Sequence, residues 1–583
     1  MILSNVHLVG FRNYKDAVIN LKQKTLLIGA NDVGKTNFLW AIRLLLDRGL
    51  SDNDLEPKDS DFFAFEETNE FSITLTFEDV NEDCVVSKLK GKISDDNKLV
   101  LAYRAYRDKV TGAKSYKLFA GFNYDSLEEI EDRYYRKVLS IKYISSRREL
   151  FNYINREKAY LFQNAKENRS ETEAKEDDLL YSELKADLKT IDDKIPRLKY
   201  ISSATKTINS ELSKLSLHHS RQEVVFDAAT SDVDDFISNV TIASKSNSKS
   251  VQIGGDGRLN QIHLALWASR NELAQGSIKE VAIFCIEEPE VHLHPHQQRK
   301  LAEYLNESLK GQVILTSHSP QIAAEFTPNS IIRLLNEKGA TRAASKGCSE
   351  VIDAAFCDFG FRMSIIPAEA FFSDVVFLVE GPSDELFYKT LSKQIGIDLD
   401  KLNISILMVD GVGFSTFVTI LNSLEIRWIL KTDNDISKIP KKDEYRFAGI
   451  QRCINIYRNH FQLDADMEKL LKEEQSFLQG FKSKTPGDVN KKAAAMIRAS
   501  LEKFNMHLSD DDLENDVFNS ALKDDITSYF HDMDEAEIVP SMQLKKATFM
   551  YDFIKENRER LSILAESKIS QPLIQCRNII EKL

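Results

Sequence analysis

Gly29-Ala30-Asn31-Asp32-Val33-Gly34-Lys35-Thr36 fits the pattern G-x-x-x-x-G-K-[ST], and it lies between a short apolar strand and an apolar helix. Glycines at this spacing let backbone N–H groups curl around a polyphosphate, and the helix that follows presents its positive end. Lys35 is placed to reach the outer phosphates and Thr36 to offer its hydroxyl to magnesium. Asn31, Asp32, Gly34 and Asn37 complete the expected nucleotide lining. Far downstream, the apolar run Ala282 to Ile286 delivers Glu287-Glu288-Pro289-Glu290 at its C-terminal end, the usual ligand edge of a parallel sheet. Glu287 stands where a magnesium-holding acid is expected, and Glu288 is the candidate base for the attacking water. His318, just after the apolar stretch Val313 to Thr316, is placed to sense a terminal phosphate.

A second set of carboxylates follows. Val375 to Val379 is a continuous apolar strand ending in Glu380-Gly381-Pro382-Ser383-Asp384, so Glu380 projects from a sheet edge and Asp384 can face the same pocket one turn on. After a glycine turn at Gly411 and Gly413, Trp428-Ile429-Leu430 leads to Lys431-Thr432-Asp433-Asn434-Asp435, where alternation puts Asp433 and Asp435 on one side. Carboxylates gathered in this way repel one another unless cations fill the space. Two magnesium or manganese ions about 4 Å apart could hold the attacking and leaving oxygens of a phosphodiester.

The elements that carry these residues read as α/β. A strand, a turn at Phe11 to Tyr14, and two further strands precede the glycine loop, and Phe71 to Phe77 alternates with the period of a half-buried strand. From about Arg147 to Ser220 the chain turns charged and helical. The α/β pattern returns between Gly254 and Leu335, and a second strand-helix alternation begins at Val375. The expected domains are residues 1–145 and 223–370 for one ATPase-like module, 146–222 for a helical dimerisation insertion, and 371–583 for a second α/β module with helical additions.

At 583 residues with 42% hydrophobic and 29% charged content, the chain has the composition of a multidomain globular protein. The six scattered cysteines form no CxxC pair and do not suggest a zinc site. His292, His294 and His296 read as part of a contact loop rather than a metal centre. No apolar run reaches membrane-spanning length and no signal segment is evident, so no membrane association and a cytoplasmic location are expected. The net charge of −13 argues against coating nucleic acid by bulk attraction but leaves room for a local basic groove.

The first motif set resembles the ABC-type ATPases of the SMC/RecN/RecF kind, and the order Glu-Gly, glycine turn, Asp-x-Asp resembles the Toprim domain. In series they resemble the OLD (overcoming lysogenization defect) nuclease family, from Leu26 to Asp435 in motif order. By that resemblance Gly255 and Gly257, in Gly254-Gly255-Asp256-Gly257-Arg258, form the signature loop that completes a partner protomer's ATP site. Gly254 replaces the usual serine of that loop, and Glu287 replaces the usual aspartate. The resemblance also implies that Glu514 and Asp516 belong to the metal site and that one lysine of the pair Lys545-Lys546, with Lys546 favoured, neutralises phosphate charge. The implied activity is an ATP-gated, metal-dependent DNA endonuclease that works as a homodimer or homotetramer with ATP and Mg2+ or Mn2+. The implied setting is anti-phage defence, beside a UvrD-like helicase as in Gabija, or with a retron reverse transcriptase and its DNA–RNA hybrid. A nucleotide-switched DNA clamp without nuclease activity is the alternative. A topoisomerase or primase reading has less support, because no zinc module or strand-passage tyrosine is identifiable.

Overall fold

The computed structural model describes residues 1–145, 150–206, 233, 243–246, 249–252, 280–291, 293–348, 368–409 and 413–582. Two compact units result: Met1–Ser146 with Lys279–Glu290 and Pro295–Leu583, and Arg147–Ile278 with Val291–His294.

In the first unit, the glycine loop follows the strand Lys24–Ile28, which lies inside a six-stranded sheet. The sheet order is Ala340–Ala343, Ile331–Glu337, Lys24–Ile28, Val313–Thr316, Val281–Glu287, Leu139–Ile144, and every pair except the first is parallel. Parallel strands are covered on both faces, which is why these segments read as unbroken apolar runs. A second, antiparallel sheet contains Ile2–Phe11 between Tyr14–Asn20 and Glu70–Glu78, then Leu99–Arg107, Lys114–Gly121 and Glu128–Ile130. Helix Lys35–Leu46 buries Phe38, Leu39, Ile42, Leu45 and Leu46 in a core that also takes side chains from both sheets. Its apolar residues at i, i+1, i+4, i+7 and i+8 form a broad stripe, so the burial of this face fixes the helix and, with it, the loop before it.

A second parallel sheet has the order Ile404–Met408, Val375–Val379, Arg427–Thr432, Met506–Leu508. Val375 to Val379 are fully buried at the centre of this sheet. Its last strand was not anticipated from the sequence. Met506–Leu508 is only three residues long and has no alternation to reveal it. Helices Pro382–Gln394, Glu535–Leu544, Lys546–Asn557 and Gln571–Glu581 pack a second core around Phe387, Tyr388, Phe553 and Leu573.

The second unit contains helices Leu150–Glu167 and Glu171–Lys194, and the latter is started by a capping box between Ser170 and Glu173. It also contains a hairpin of Ala243–Ser246 and Lys249–Gln252. Gly255, Gly257, His292 and Gly411 lie outside the described residues.

Candidate functional site

The glycine loop is held from several sides. Gly34 sits at φ 110°, and a Cβ there would meet Asn13 Nδ2 at 2.4 Å, so only glycine fits. Asn13 Nδ2 donates to Val33 O at 3.0 Å, Thr341 Oγ1 donates to the same carbonyl at 2.6 Å, and Tyr14 OH donates to Gly34 O at 3.0 Å. Asn37 accepts from Arg12 and donates to Asn13 Oδ1, both at 2.8 Å. Lys35 folds onto its own loop, donating to Gly29 O at 3.0 Å and Ala30 O at 2.9 Å. Burial is the first reason its ammonium is pushed below the usual lysine range, and Glu288, Asp32, Glu290 and Glu287 pull the other way.

Thr36 Oγ1 donates directly to Glu287 Oε1, and Tyr143 OH donates to Glu287 Oε2 at 2.6 Å. Glu288 follows at φ 42°, a strained left-handed position, with its carboxylate 3.5 Å from His318 Nε2. His318 is pushed below the usual histidine range by burial and then by Lys35, while Glu288 opposes. Glu290, not singled out in the sequence, is half-buried and accepts from Ser317 Oγ at 2.9 Å and His318 N at 2.7 Å, fixing the turn that carries His318.

At the edge of the second sheet, Glu380 accepts from Asp433 N at 2.9 Å, Arg452 Nη1 at 2.8 Å and Thr432 Oγ1. Asp384 is buried in the first turn of helix Pro382–Gln394, where its carboxylate accepts from Gly381 N at 3.3 Å. Asp433 lies 3.4 Å from Lys546 Nζ, which also lies 3.0 Å from Glu514 and 3.8 Å from Asp512. Glu514 is fully buried and accepts from Ser383 Oγ at 3.2 Å. Asp516 pairs with Lys431 at 3.4 Å. Asp435, whose side chain is 58% exposed, stands 3.7 Å from Arg452. The strand ends at Thr432, so the chain's turn beyond it, rather than strand alternation, brings Asp433 and Asp435 to this edge.

The profile of the AAA ATPase domain family (AAA_15) matches residues 1–323, and that of the overcoming lysogenization defect protein-like TOPRIM domain matches residues 371–435. The chain belongs to the AAA ATPase domain family, joined to an OLD-like TOPRIM domain. Endonuclease GajA of Bacillus cereus strain VD045 is 26% identical over 567 residues, covering 93% of this chain and 94% of that protein. The Old nuclease of Escherichia phage P2 is 23% identical over 523 residues, covering 82% and 85%. The OLD nuclease of Thermus scotoductus is 26% identical over 174 residues, covering 28% and 33%.

The TOPRIM carboxylates fit a hard divalent cation by their chemistry: the donors are all oxygens, and they are short of positive charge. Burial, then Glu380 and Asp384, push Asp433 up to about 8. Burial pushes Asp384 up to about 6, with Lys431 opposing and Glu380 and Glu514 assisting. Added positive charge at this edge would favour the ionised form of Asp433. Among the described residues, no group of three His, Cys, Asp or Glu side chains is arranged around a metal position; Arg452, Lys431 and Lys546 lie between the TOPRIM carboxylates instead.

The sequence reading missed Lys431, Arg452 and Asp512. Lys431 carried a readable signal, a lysine inside a buried strand two residues before Asp433. Arg452 carried none, because its place depends on helix Ala448–His460 packing at Gly449, where a Cβ would meet Asp433 O at 2.1 Å. Lys545 and Lys546 also diverge for a backbone reason. One helix ends at Leu544 and the next begins at Lys546, which leaves Lys545 exposed and Lys546 among the carboxylates.

Proposed function

We propose that this chain is an ATP-binding, metal-dependent DNA endonuclease whose TOPRIM site hydrolyses phosphodiesters under control of the ATPase module. The observation that carries this reading is the convergence of Glu380, Asp384, Asp433, Asp435, Glu514 and Lys546 on one sheet edge, in a chain that also holds a complete P-loop. The likeness to GajA across nearly the full length of both proteins supports it.

Glu380, Asp384, Asp433, Asp435, Glu514 and Asp516 would hold Mg2+ or Mn2+, which when bound activates water and neutralises phosphate charge. Lys546 orients Glu514 and Asp433 and offers an ammonium to a phosphate oxygen. Glu380 is fixed in its rotamer by donors from Asp433, Thr432 and Arg452, which keeps the sheet edge organised before substrate arrives. In the ATPase module, Thr36 and Glu287 would hold the nucleotide's magnesium, Glu288 orients the water, and His318 faces the terminal phosphate. Gly255 and Gly257 would complete a partner protomer's site.

The protein acts in the cytoplasm as a homodimer or homotetramer. Exposed Leu179, Leu180, Leu184 and Ile191 on helix Glu171–Lys194 support self-association. No helix among the described residues is long and apolar enough to cross a membrane. Anti-phage defence with a UvrD-like helicase is the favoured setting, because the GajA likeness points to Gabija; a retron partner is the other candidate.

The test is cleavage of supercoiled plasmid with Mg2+ or Mn2+, with and without ATP, by wild type, Glu380→Ala and Lys35→Ala. Cleavage lost in Glu380→Ala, and altered in its ATP response in Lys35→Ala, is expected. Cleavage that persists undiminished in Glu380→Ala would remove the TOPRIM edge from the reaction.

A further inference from the structure

Two arginines beside the P-loop grip the starts of both strands that carry the TOPRIM carboxylates. Strand Ile331–Glu337 runs parallel to the P-loop strand, with Arg333 opposite Ile28, the residue before Gly29. The returning strand Ala340–Ala343 lays Thr341 on the loop, where its hydroxyl donates to Val33 O at 2.6 Å and its N–H to Asn13 O at 2.7 Å.

The adjacent side chains reach the TOPRIM module. Arg342 donates a bidentate pair to Glu425, at 2.9 Å from Nη1 and 2.7 Å from Nη2, and Ser345 N donates to the same carboxylate at 2.9 Å. Arg333 donates to Glu425 O at 3.0 Å, to Ser373 O at 3.0 Å and to Asp374 Oδ1 at 3.2 Å. Burial raises the Glu425 carboxyl, but the bonds from Arg342 and Ser345 outweigh it and hold the group below its usual range. A planar guanidinium fork on a carboxylate fixes orientation as well as distance. Arg333 is almost fully buried, so its acceptors are needed to offset the desolvation of its charge.

These contacts sit at mechanically significant positions. Asp374 immediately precedes strand Val375–Val379, which leads into Glu380, and Glu425 lies just before strand Arg427–Thr432, which leads into Asp433. Each strand is hydrogen-bonded on both sides and spans on the order of 20 Å at the usual rise per residue, so a displacement at its start is carried to its far end. Glu425 is held at φ 50°, a turn conformation with little slack. The P-loop residues Gly29 to Val33 and the TOPRIM residues Arg427 and Trp428 line one cleft of about 1600 Å3, which gives the two modules room to shift around the clasp.

We infer that Arg342, with Glu425, and Arg333, with Asp374, are positioning residues that pass the nucleotide state of the P-loop to Glu380, Asp433 and Asp435. The inference rests on the nuclease reading above. A nucleotide that moves the loop at Val33 shifts Thr341, and with it the arginine fork and the registry of the two carboxylate-bearing strands.

The test compares plasmid cleavage rates with and without a non-hydrolysable ATP analogue in wild type, Arg342→Ala, Glu425→Ala and the charge-swapped pair Arg342→Glu with Glu425→Arg. Analogue affinity is measured separately without DNA, and folding is checked by circular dichroism. In wild type the analogue changes the rate by about fivefold or more in either direction, the ordinary range of allosteric coupling. Each single variant brings that ratio close to one while analogue affinity stays within about twofold, and the swapped pair restores the ratio. Where Arg342→Ala does not fold, Arg342→Lys, which keeps the charge and loses the fork, shows the reduced ratio. An unchanged ratio in folded single variants, no nucleotide effect in wild type, or a swapped pair without rescue overturns the inference and leaves the nuclease reading standing. Absence of cleavage by wild type, matched by Glu380→Ala, fails the nuclease reading itself.

Discussion

His507 makes the TOPRIM sheet sensitive to acid. It lies on the edge strand Met506–Leu508 opposite Lys431, is buried, and shares a 2.6 Å hydrogen bond with Gln575. Burial, with a contribution from Lys431, pushes its imidazole down to about 4, although the Gln575 bond opposes. The unfolded chain protonates this histidine near pH 6.5, so between about 6.5 and 4 it binds more protons than the folded chain. Stability therefore falls as pH drops through this window and is unaffected by His507 above it. Integrating the two titrations gives a loss of about 2 kcal/mol between pH 7 and pH 5. Urea titrations at both pH values, followed by tryptophan fluorescence with Trp428 on the neighbouring strand, measure this loss. His507→Gln, which keeps an amide able to meet Gln575, is expected to lose about 2 kcal/mol less than wild type over the same interval. Equal losses in the two proteins would refute the assignment of a depressed histidine here.

Gly449→Ala puts a methyl group 2.1 Å from Asp433 O, against backbone that cannot move aside alone. Destabilisation of about 1–3 kcal/mol is expected, with a loss of plasmid cleavage larger than the loss of folded protein, read by nuclease assay beside thermal melting. Lys546→Met leaves Glu514 buried without its cation and is expected to reduce cleavage at least about 100-fold, the scale of a lost electrostatic stabiliser. Lys545→Met changes an exposed side chain and is expected to leave cleavage within about twofold; equal effects of the two lysine substitutions would contradict the geometry.

The P-loop and the carboxylates of the second module were legible in the sequence because each motif is local. A strand, a sharp turn and a helix within a dozen residues determine where Lys35, Thr36, Glu380 and Asp384 point, and the glycines mark the turns. The α/β class was legible for the same reason, since apolar runs of strand length alternate with helical spacing. Glu514 and Lys546 were reachable only through resemblance, because nothing in an acidic turn or a pair of lysines shows what it packs against. Tertiary structure decided the rest. The short strand Met506–Leu508 is stabilised by its pairing with Arg427–Thr432 rather than by its own pattern, and that pairing brings Glu514 to the sheet edge. Arg452 reaches Glu380 because one helix approaches the Asp433 backbone at a glycine. Arg333 and Arg342 bind acids in another module 41 and 83 residues downstream, a distance over which no local spacing rule operates. Local sequence determined which groups are presented, and long-range packing determined which charges they meet and how strongly burial shifts them.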